Sequence, residues 1–438
     1  MNVKVKDALK KYFTKRRLRK FQSVAVFFVC LLILFALSYP NFETGKKAHV
    51  DSLASINNVN NKIVSQEELF LETWGLVRSN YWDARLNEQD WSYWKRRYSG
   101  KIETPEDVYV ALNSMLASLN DPYSKFLSES EFKDQNSIID SKVYGIGINI
   151  VSISGKIYIS NVLKGAPADL QGLKQGDMIL NIDGQDIRGE SIFQVSQYIK
   201  GAPGAVIELT VLRGDKKITK KIKREEIKIK AAEYKILEGA GGKVGYIHLL
   251  SFISQDTPSE FLAVLEKLKD CEGLILDLRG NMGGLFQNAI FVSNLFLEKG
   301  VIVNVVGRSG HLNVYRAEKG NFTYEKPLVV LIDSDSASSS EIVAGALQDH
   351  ERAKLVGTAT FGKGLVQKVY PMPNRTGVNL TIARYSTPQG NEIDKRGITP
   401  DYEVYFTKDD IAKNNDRQLN FAVDLVRTLI AGAGVTRD

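Results

Sequence analysis

The chain has 438 residues, of which 43% are hydrophobic and 25% charged, an ordinary globular composition that excludes collagen-like, low-complexity and wholly disordered classes. Two cysteines, Cys30 and Cys271, exclude a disulfide framework and a thiolate-rich metal site, and the four scattered histidines show no metal-ligand spacing. The net charge of +7 is local: residues 1–20 carry nine basic side chains and one acid, so the remaining chain is close to neutral and a nucleic-acid partner is not indicated.

In chain order, the basic segment 1–20 leads into residues 21–39, nineteen positions without a charge. A helix of that length matches a bilayer core of about 30 Å. The basic side is expected to stay cytoplasmic and send the body outward. No small-residue cleavage site follows, so the expectation is an uncleaved, single-pass signal anchor through residues 21–39. Residues 40–65 read as a linker.

Residues 66–140 read as a helical N-terminal domain. Leu69, Trp74, Leu76, Val77 and Tyr81 recur at helical spacing. Thr104-Pro105-Glu106-Asp107 is a helix start, and Leu119-Asn120-Asp121-Pro122-Tyr123-Ser124 is turn chemistry that stops the helix. Residues 141–225 form short β-rich runs (146–153, 156–162, 178–182, 206–212) around one helical stretch, 192–199, which indicates a small mainly-β module. Over 226–410 apolar strands (244–250, 273–278, 328–332) alternate with helices (258–267, 285–297, 341–348), the pattern of an α/β layer. Residues 411–438 form a C-terminal helical segment.

Three segments could carry chemistry. In residues 327–349 an apolar strand runs into Ser336-Ala337-Ser338-Ser339-Ser340-Glu341 and then a helix. This is the geometry of a nucleophile elbow without its usual G-x-S-x-G pattern, and helix N-terminal amides could stabilise an oxyanion. Taken alone, these residues favour helix capping by serine over catalysis. Second, Gly357 to Lys363 nearly matches a phosphate-binding loop, but Gly364 stands where a magnesium-binding hydroxyl belongs and a strand follows, which argues against a nucleotide hydrolase. What remains is a lysine between two glycines, and a desolvated neutral lysine can deprotonate a serine. Third, Asp277-Leu278-Arg279-Gly280-Asn281-Met282-Gly283-Gly284 could supply a second oxyanion donor or be a plain strand-to-helix turn.

Together these segments resemble the carboxyl-terminal processing proteases, serine peptidases of the Ser–Lys type. Residues 119–124 upstream and Gly397-Ile398-Thr399-Pro400-Asp401 downstream are also similar, so the likeness runs from about residue 66 to 401. It implies a nucleophile at Ser338, a general base at Lys363, and Gln367 as the residue that orients the lysine. It implies an oxyanion hole from the backbone N–H of Ser339 with that of Gly283 or Gly284. Asp349 stands where an acid is sometimes assigned to a relay; a structural role is the expectation, because the dyad needs no carboxylate. The β module resembles a PDZ domain, with Tyr144, Gly145, Ile146 and Gly147 as the carboxylate-binding loop and Lys200 near a basic tail sensor.

The resemblance thus implies a PDZ domain inserted ahead of an α/β protease core, needing no metal or organic cofactor. Its partners would be peptides or proteins with free C-termini, cleaved on the extracytoplasmic side of a membrane (periplasm, cell surface or thylakoid lumen). The photosynthetic branch, which matures the D1 subunit of photosystem II, looks nearest. The alternative is a catalytically inactive, membrane-anchored PDZ scaffold that only holds protein tails.

Overall fold

The computed structural model describes residues 59–139, 143–153, 156–190, 192–227, 230–239, 242–318, 324–407, 410 and 415–435. The expected anchor at 21–39 and its basic flank lie outside them. Among the described residues no helix is long and apolar enough to cross a membrane. The chain divides into two units, one of residues 141–229 and one joining the segments on either side of it.

The first unit is an antiparallel sheet of Ile148–Ile153, Lys156–Val162, Met178–Ile182, Val206–Arg213 and Lys216–Lys223, in that spatial order. Alternation builds its core: Ile157 and Ile159 on one strand, and Ile207, Leu209 and Val211 on another, are buried together. Asp183 and Gly184 both take positive φ, 49° and 82°, as a two-residue hairpin requires. Ile148–Ile153 is an edge strand, and the helix Ile192–Ile199 lies beside it. Val143–Gly145 pairs separately with Glu225–Ile227, which carries the module to residue 227. Buried Asp177 is clamped by Arg213 at 2.7 Å.

The second unit is built on a six-stranded sheet. Its strands lie in the order Ala232–Leu237, Val244–Leu249, Gly273–Asp277, Leu328–Ile332, Lys354–Gly357 and Tyr402–Glu403. All neighbours are parallel except the first pair. The central strands are apolar throughout because both faces are covered. Leu274, Leu276, Leu328 and Val330 pack on the side of the helices Thr257–Lys267, Phe286–Asn294 and Ser339–Asp349. Ile275, Val329 and Leu331 face the C-terminal helix Arg417–Val435. Gly273 permits this approach, since a Cβ there would fall 2.8 Å from Val426.

A second sheet joins Lys125–Leu127, Gly377–Ser386, Gly300–Gly307 and Leu312–Ala317, with Leu365–Pro371 also pairing with Gly377–Ser386. This sheet changes the reading of residues 66–140. The helices Gln66–Asn80 and Pro105–Ala117 begin as expected, the latter with a capping box from Thr104 and Asp107. Their buried side chains, Leu69, Val77, Leu112 and Met115, share a core with Met372, Val378 and Leu380. The N-terminal helices are therefore a layer of the α/β unit rather than a separate domain.

Candidate active site

The apolar strand Leu328–Ile332 delivers the chain into the serine cluster, and the helix Ser339–Asp349 leaves it. Ser336, Ser338, Ser339 and Ser340 are all fully buried, yet their hydroxyls do different things. Ser336 Oγ donates to Leu278 O at 2.8 Å, Ser339 Oγ to Gly284 O at 3.0 Å, and Ser340 Oγ to Asn281 O at 2.7 Å. These three serines fasten the serine loop to the glycine-rich loop 278–285. Ser338 Oγ is the exception, with no hydrogen-bond partner. Its backbone is exceptional too: φ is 55°, in the left-handed region that a non-glycine residue occupies at a cost of about 1–3 kcal/mol. Ser338 opens a capping box with Glu341, and its positive φ at a strand-to-helix turn is also the backbone geometry of a nucleophile elbow.

Glu341, one turn into the helix, binds the serine loop to the lysine loop. Its Oε2 accepts the N–H of Ser338 at 2.8 Å and of Lys363 at 2.9 Å. Its Oε1 accepts the Thr360 hydroxyl at 2.6 Å and the Gly362 N–H at 2.7 Å. Burial raises this carboxyl above its ordinary value, and the four donors oppose the rise only in part. Four donors fill the acceptor capacity of an ionised carboxylate, so this geometry fits the charged form. The sequence offered a signal for Glu341, the S-x-x-E spacing of a capping box, but not its link to residues 360–363.

Lys363 is 1% exposed. Its Nζ sits over the Tyr123 ring, 4.6 Å from the centroid. The flanking glycines are steric necessities: a Cβ on Gly364 would lie 2.4 Å from Asp394 N, and Gly362, at φ 88°, backs onto Arg396 and Gly397. The strand Leu365–Pro371 follows instead of a helix, which disposes of the phosphate-loop reading. The similar segment 397–401 supports this loop, with Ile398 N donating to Thr360 Oγ1 at 2.7 Å and Thr360 N to Ile398 O at 3.1 Å. Tyr385 donates its hydroxyl to Lys363 O. Burial drives that phenol far up, Glu341 adds to the effect, and the neighbouring Ser338 hydroxyl opposes it. Gln367 is fully buried on the strand after the lysine; its Nε2 donates to Thr381 Oγ1 at 3.3 Å while its Oε1 has no partner.

The glycine-rich loop presses directly on the nucleophile. A Cβ on Gly283 would fall 2.6 Å from Ala337 O, 2.8 Å from Ser339 N and 2.9 Å from Ser338 Cβ. One expected detail changes here. The Gly283 N–H already donates to Asn281 Oδ1 at 2.9 Å, which leaves Gly284 as the candidate second oxyanion donor beside Ser339.

Asp349 is not brought to this site. It ends the helix that starts after Ser338, about 16 Å along at 1.5 Å per residue, and its Oδ2 accepts the Gln389 N–H at 2.8 Å. A relay from there has no geometric basis.

In the β module, Tyr144 and Gly145 pair with Glu226 and Glu225. Ile146 is buried in the module's core. Gly147, at φ 77°, begins the turn into the edge strand, where a Cβ would lie 2.3 Å from Ala166 Cβ. Lys200 follows the helix beside that strand and donates its N–H to Ser196 O at 3.1 Å. Buried Arg224 closes the same helix end through the carbonyls of Tyr198 and Ile199, at 2.8 and 3.0 Å.

Residues 243–404 match peptidase family S41, residues 135–212 match the PDZ domain, and residues 65–117 match the tricorn protease C1 domain. The chain is 36% identical over 347 residues to a carboxyl-terminal-processing protease of Picosynechococcus, covering 77% of this chain and 83% of that one. A carboxy-terminal-processing protease of Bartonella bacilliformis is 39% identical over 315 residues, 69% of this chain and 71% of that one. Among solved structures, a photosystem II D1 C-terminal processing protease superposes with a TM-score of 0.58 at 30% identity, covering 78% of this chain and 94% of the other.

Proposed function

The chain belongs to peptidase family S41 as a serine-type carboxyl-terminal-processing protease with a PDZ domain, and from that premise we propose that Ser338 and Lys363 are its catalytic dyad. One observation carries the assignment: of four buried serines in the elbow, Ser338 alone keeps its hydroxyl unpartnered, and a single oxygen of Glu341 holds its backbone to that of Lys363.

In the proposed cycle Lys363 acts as the neutral amine, a form that loss of hydration favours in a buried site. The amine takes the Ser338 proton as Oγ attacks the scissile carbonyl. The Ser339 and Gly284 N–H groups receive the oxyanion. The resulting ammonium protonates the departing amine, leaving an acyl-enzyme. Lys363 then activates water for deacylation and returns the proton to Ser338. Gln367, whose Oε1 is buried without a partner, is assigned the role of accepting from the ammonium and so orienting it.

Substrate selection is assigned to the β module. Gly147 opens the edge strand Ile148–Ile153, on which a peptide can add as a further strand with its free carboxylate at residues 144–147. Lys200, at the helix end, would sense the bound tail. A signal anchor at 21–39 would hold the body outside the cytoplasm, so substrates would be extracytoplasmic tails. The photosystem II D1 precursor is one candidate by likeness to the solved relative. The comparable identity to the Bartonella protein singles out no one tail.

The test is cleavage of a peptide with an apolar free C-terminus, read by mass spectrometry, with a D1-type tail as a second arm. Ser338→Ala and Lys363→Ala should each lower turnover at least ~1,000-fold while peptide still binds. Turnover retained by either variant would remove that residue from the mechanism.

A further inference from the structure

The segment Leu119–Ser124 carries turn chemistry and a likeness to the family, neither of which assigns Tyr123 a role, yet the segment is bonded closely into the unit. Asp121 Oδ1 accepts the Tyr123 N–H at 3.0 Å, and Asp121 Oδ2 accepts the Ser124 hydroxyl at 2.6 Å. Ser124 Oγ in turn accepts the Thr381 N–H at 3.0 Å, and Asn379 Nδ2 donates to Tyr123 O at 3.1 Å. Four hydrogen bonds thus fix one tyrosine against the strand Gly377–Ser386, which also carries Tyr385. The face of that tyrosine meets the Lys363 amine. Such bracing is more than a helix stop requires.

We propose that Tyr123 is a positioning residue for Lys363: its ring face fixes the amine inside the fold and stabilises the positive charge that the amine gains on taking the Ser338 proton. The proposal rests on the dyad reading above. A ring quadrupole attracts a cation within about 6 Å of its centroid, most strongly where water is excluded. The ring acts as a neutral group, because burial, with Asp394, Asp121 and Glu341 nearby, drives its phenol upward. The charged and titratable groups around the lysine loop come from several elements: Glu341 of the serine helix at the Lys363 N–H, Tyr385 of the adjacent strand at the Lys363 carbonyl, Asp394 against Gly364 with Arg384 and Lys395 near it, and Asp121 beside Tyr123. The ring is the member of this set that touches the amine by its face, and it can be tuned without changing its shape.

Stabilising the ammonium raises the pH at which the base becomes active. Weakening the ring must therefore move the acid limb of the kcat/KM profile to lower pH. Replacing Tyr123 by phenylalanine, and then by mono-, di- and trifluorinated phenylalanines, withdraws charge from the ring face stepwise at nearly constant volume. Tyr123→Phe should hold the limb near the wild-type position. The fluorinated series should lower it progressively, and Tyr123→Leu should complete a shift of about 0.5–1.5 pH units while kcat falls about tenfold and KM stays constant. A purely packing role would change stability without ordering the limb by fluorination. A limb that stays fixed across the series, or that Tyr123→Phe moves as far as Tyr123→Leu, overturns the proposal. Lys363→Ala separates the two claims: if it cleaves peptide at the wild-type rate the dyad itself fails, and if it is inert while the series is flat only the role of Tyr123 fails.

Discussion

The β module and the α/β unit put their parts together differently. In the module the main sheet is a set of antiparallel strands from one short stretch of chain, and its core follows from simple alternation within each strand. In the α/β unit the site joins positions as far apart as Ser124 and Thr381, bonded across 257 residues. A module of local pairings tolerates loss of one contact. A site assembled from distant loops depends on the few groups that bridge them.

Glu341→Gln should have the largest effect. All four groups facing the carboxylate are donors, so an amide must set its NH2 against Ser338 and Lys363 or against Thr360 and Gly362. We expect turnover to fall about 100-fold or more, with a stability loss of about 2–3 kcal/mol, while peptide binding by the β module is unchanged. Turnover near wild type in this variant would show that the two loops hold their geometry without the bridge.

The same contrast explains what could be read in advance. The strands at 156–162, 178–182 and 328–332 and the helix at 192–199 fall where periodicity placed them, because each is specified by its own apolar pattern. The strands Gly300–Gly307, Leu312–Ala317 and Gly377–Ser386 carry no comparable local signal, and they belong to the second sheet, which holds Tyr385 and anchors Tyr123. The serine and lysine motifs were legible as candidates, since small residues and glycines leave a local signature. Glu341 was not, because nothing near it in the chain distinguishes an acid that caps its own helix from one that also binds a loop twenty residues on. Asp349 had a plausible sequence offset and no spatial one.

An intermediate effect is expected in the module. Gly147→Val would place a branched side chain where even a Cβ would lie 2.3 Å from Ala166, at a φ that β-branched residues avoid. The loop before the edge strand should distort, raising KM for a free-tailed peptide about tenfold with kcat little changed. Amidating the peptide C-terminus should raise KM for wild type similarly, and should add little in the variant. Equal KM for free and amidated peptides on the wild-type protein would take carboxylate capture away from this loop.

The smallest effect concerns the C-terminal helix, tied to the sheet by a polar clamp at the start of the glycine-rich loop. Arg279 NH2 meets Asp277 Oδ2 at 2.6 Å and Arg279 NH1 meets Asp416 Oδ1 at 2.9 Å, with Tyr246 donating to Asp277 Oδ2 at 2.8 Å. Burial pushes the Asp416 carboxyl up, but the hydrogen bonds and charge of Arg279 outweigh it and hold the group below the ordinary carboxylate range. Its contribution is therefore complete above the unfolded value, about 4, and is lost as pH falls through the lower folded value. Asp416 is half-exposed, so the clamp is worth only about 1 kcal/mol. Asp416→Asn should accordingly speed amide exchange in Arg417–Val435 about fivefold at pH 7, with the difference from wild type closing toward pH 3. A difference as large at pH 3 as at pH 7 would assign the effect to packing of the new side chain. The helix would then be held by its apolar face, through Ala422 and Val426, and not by the ion pair.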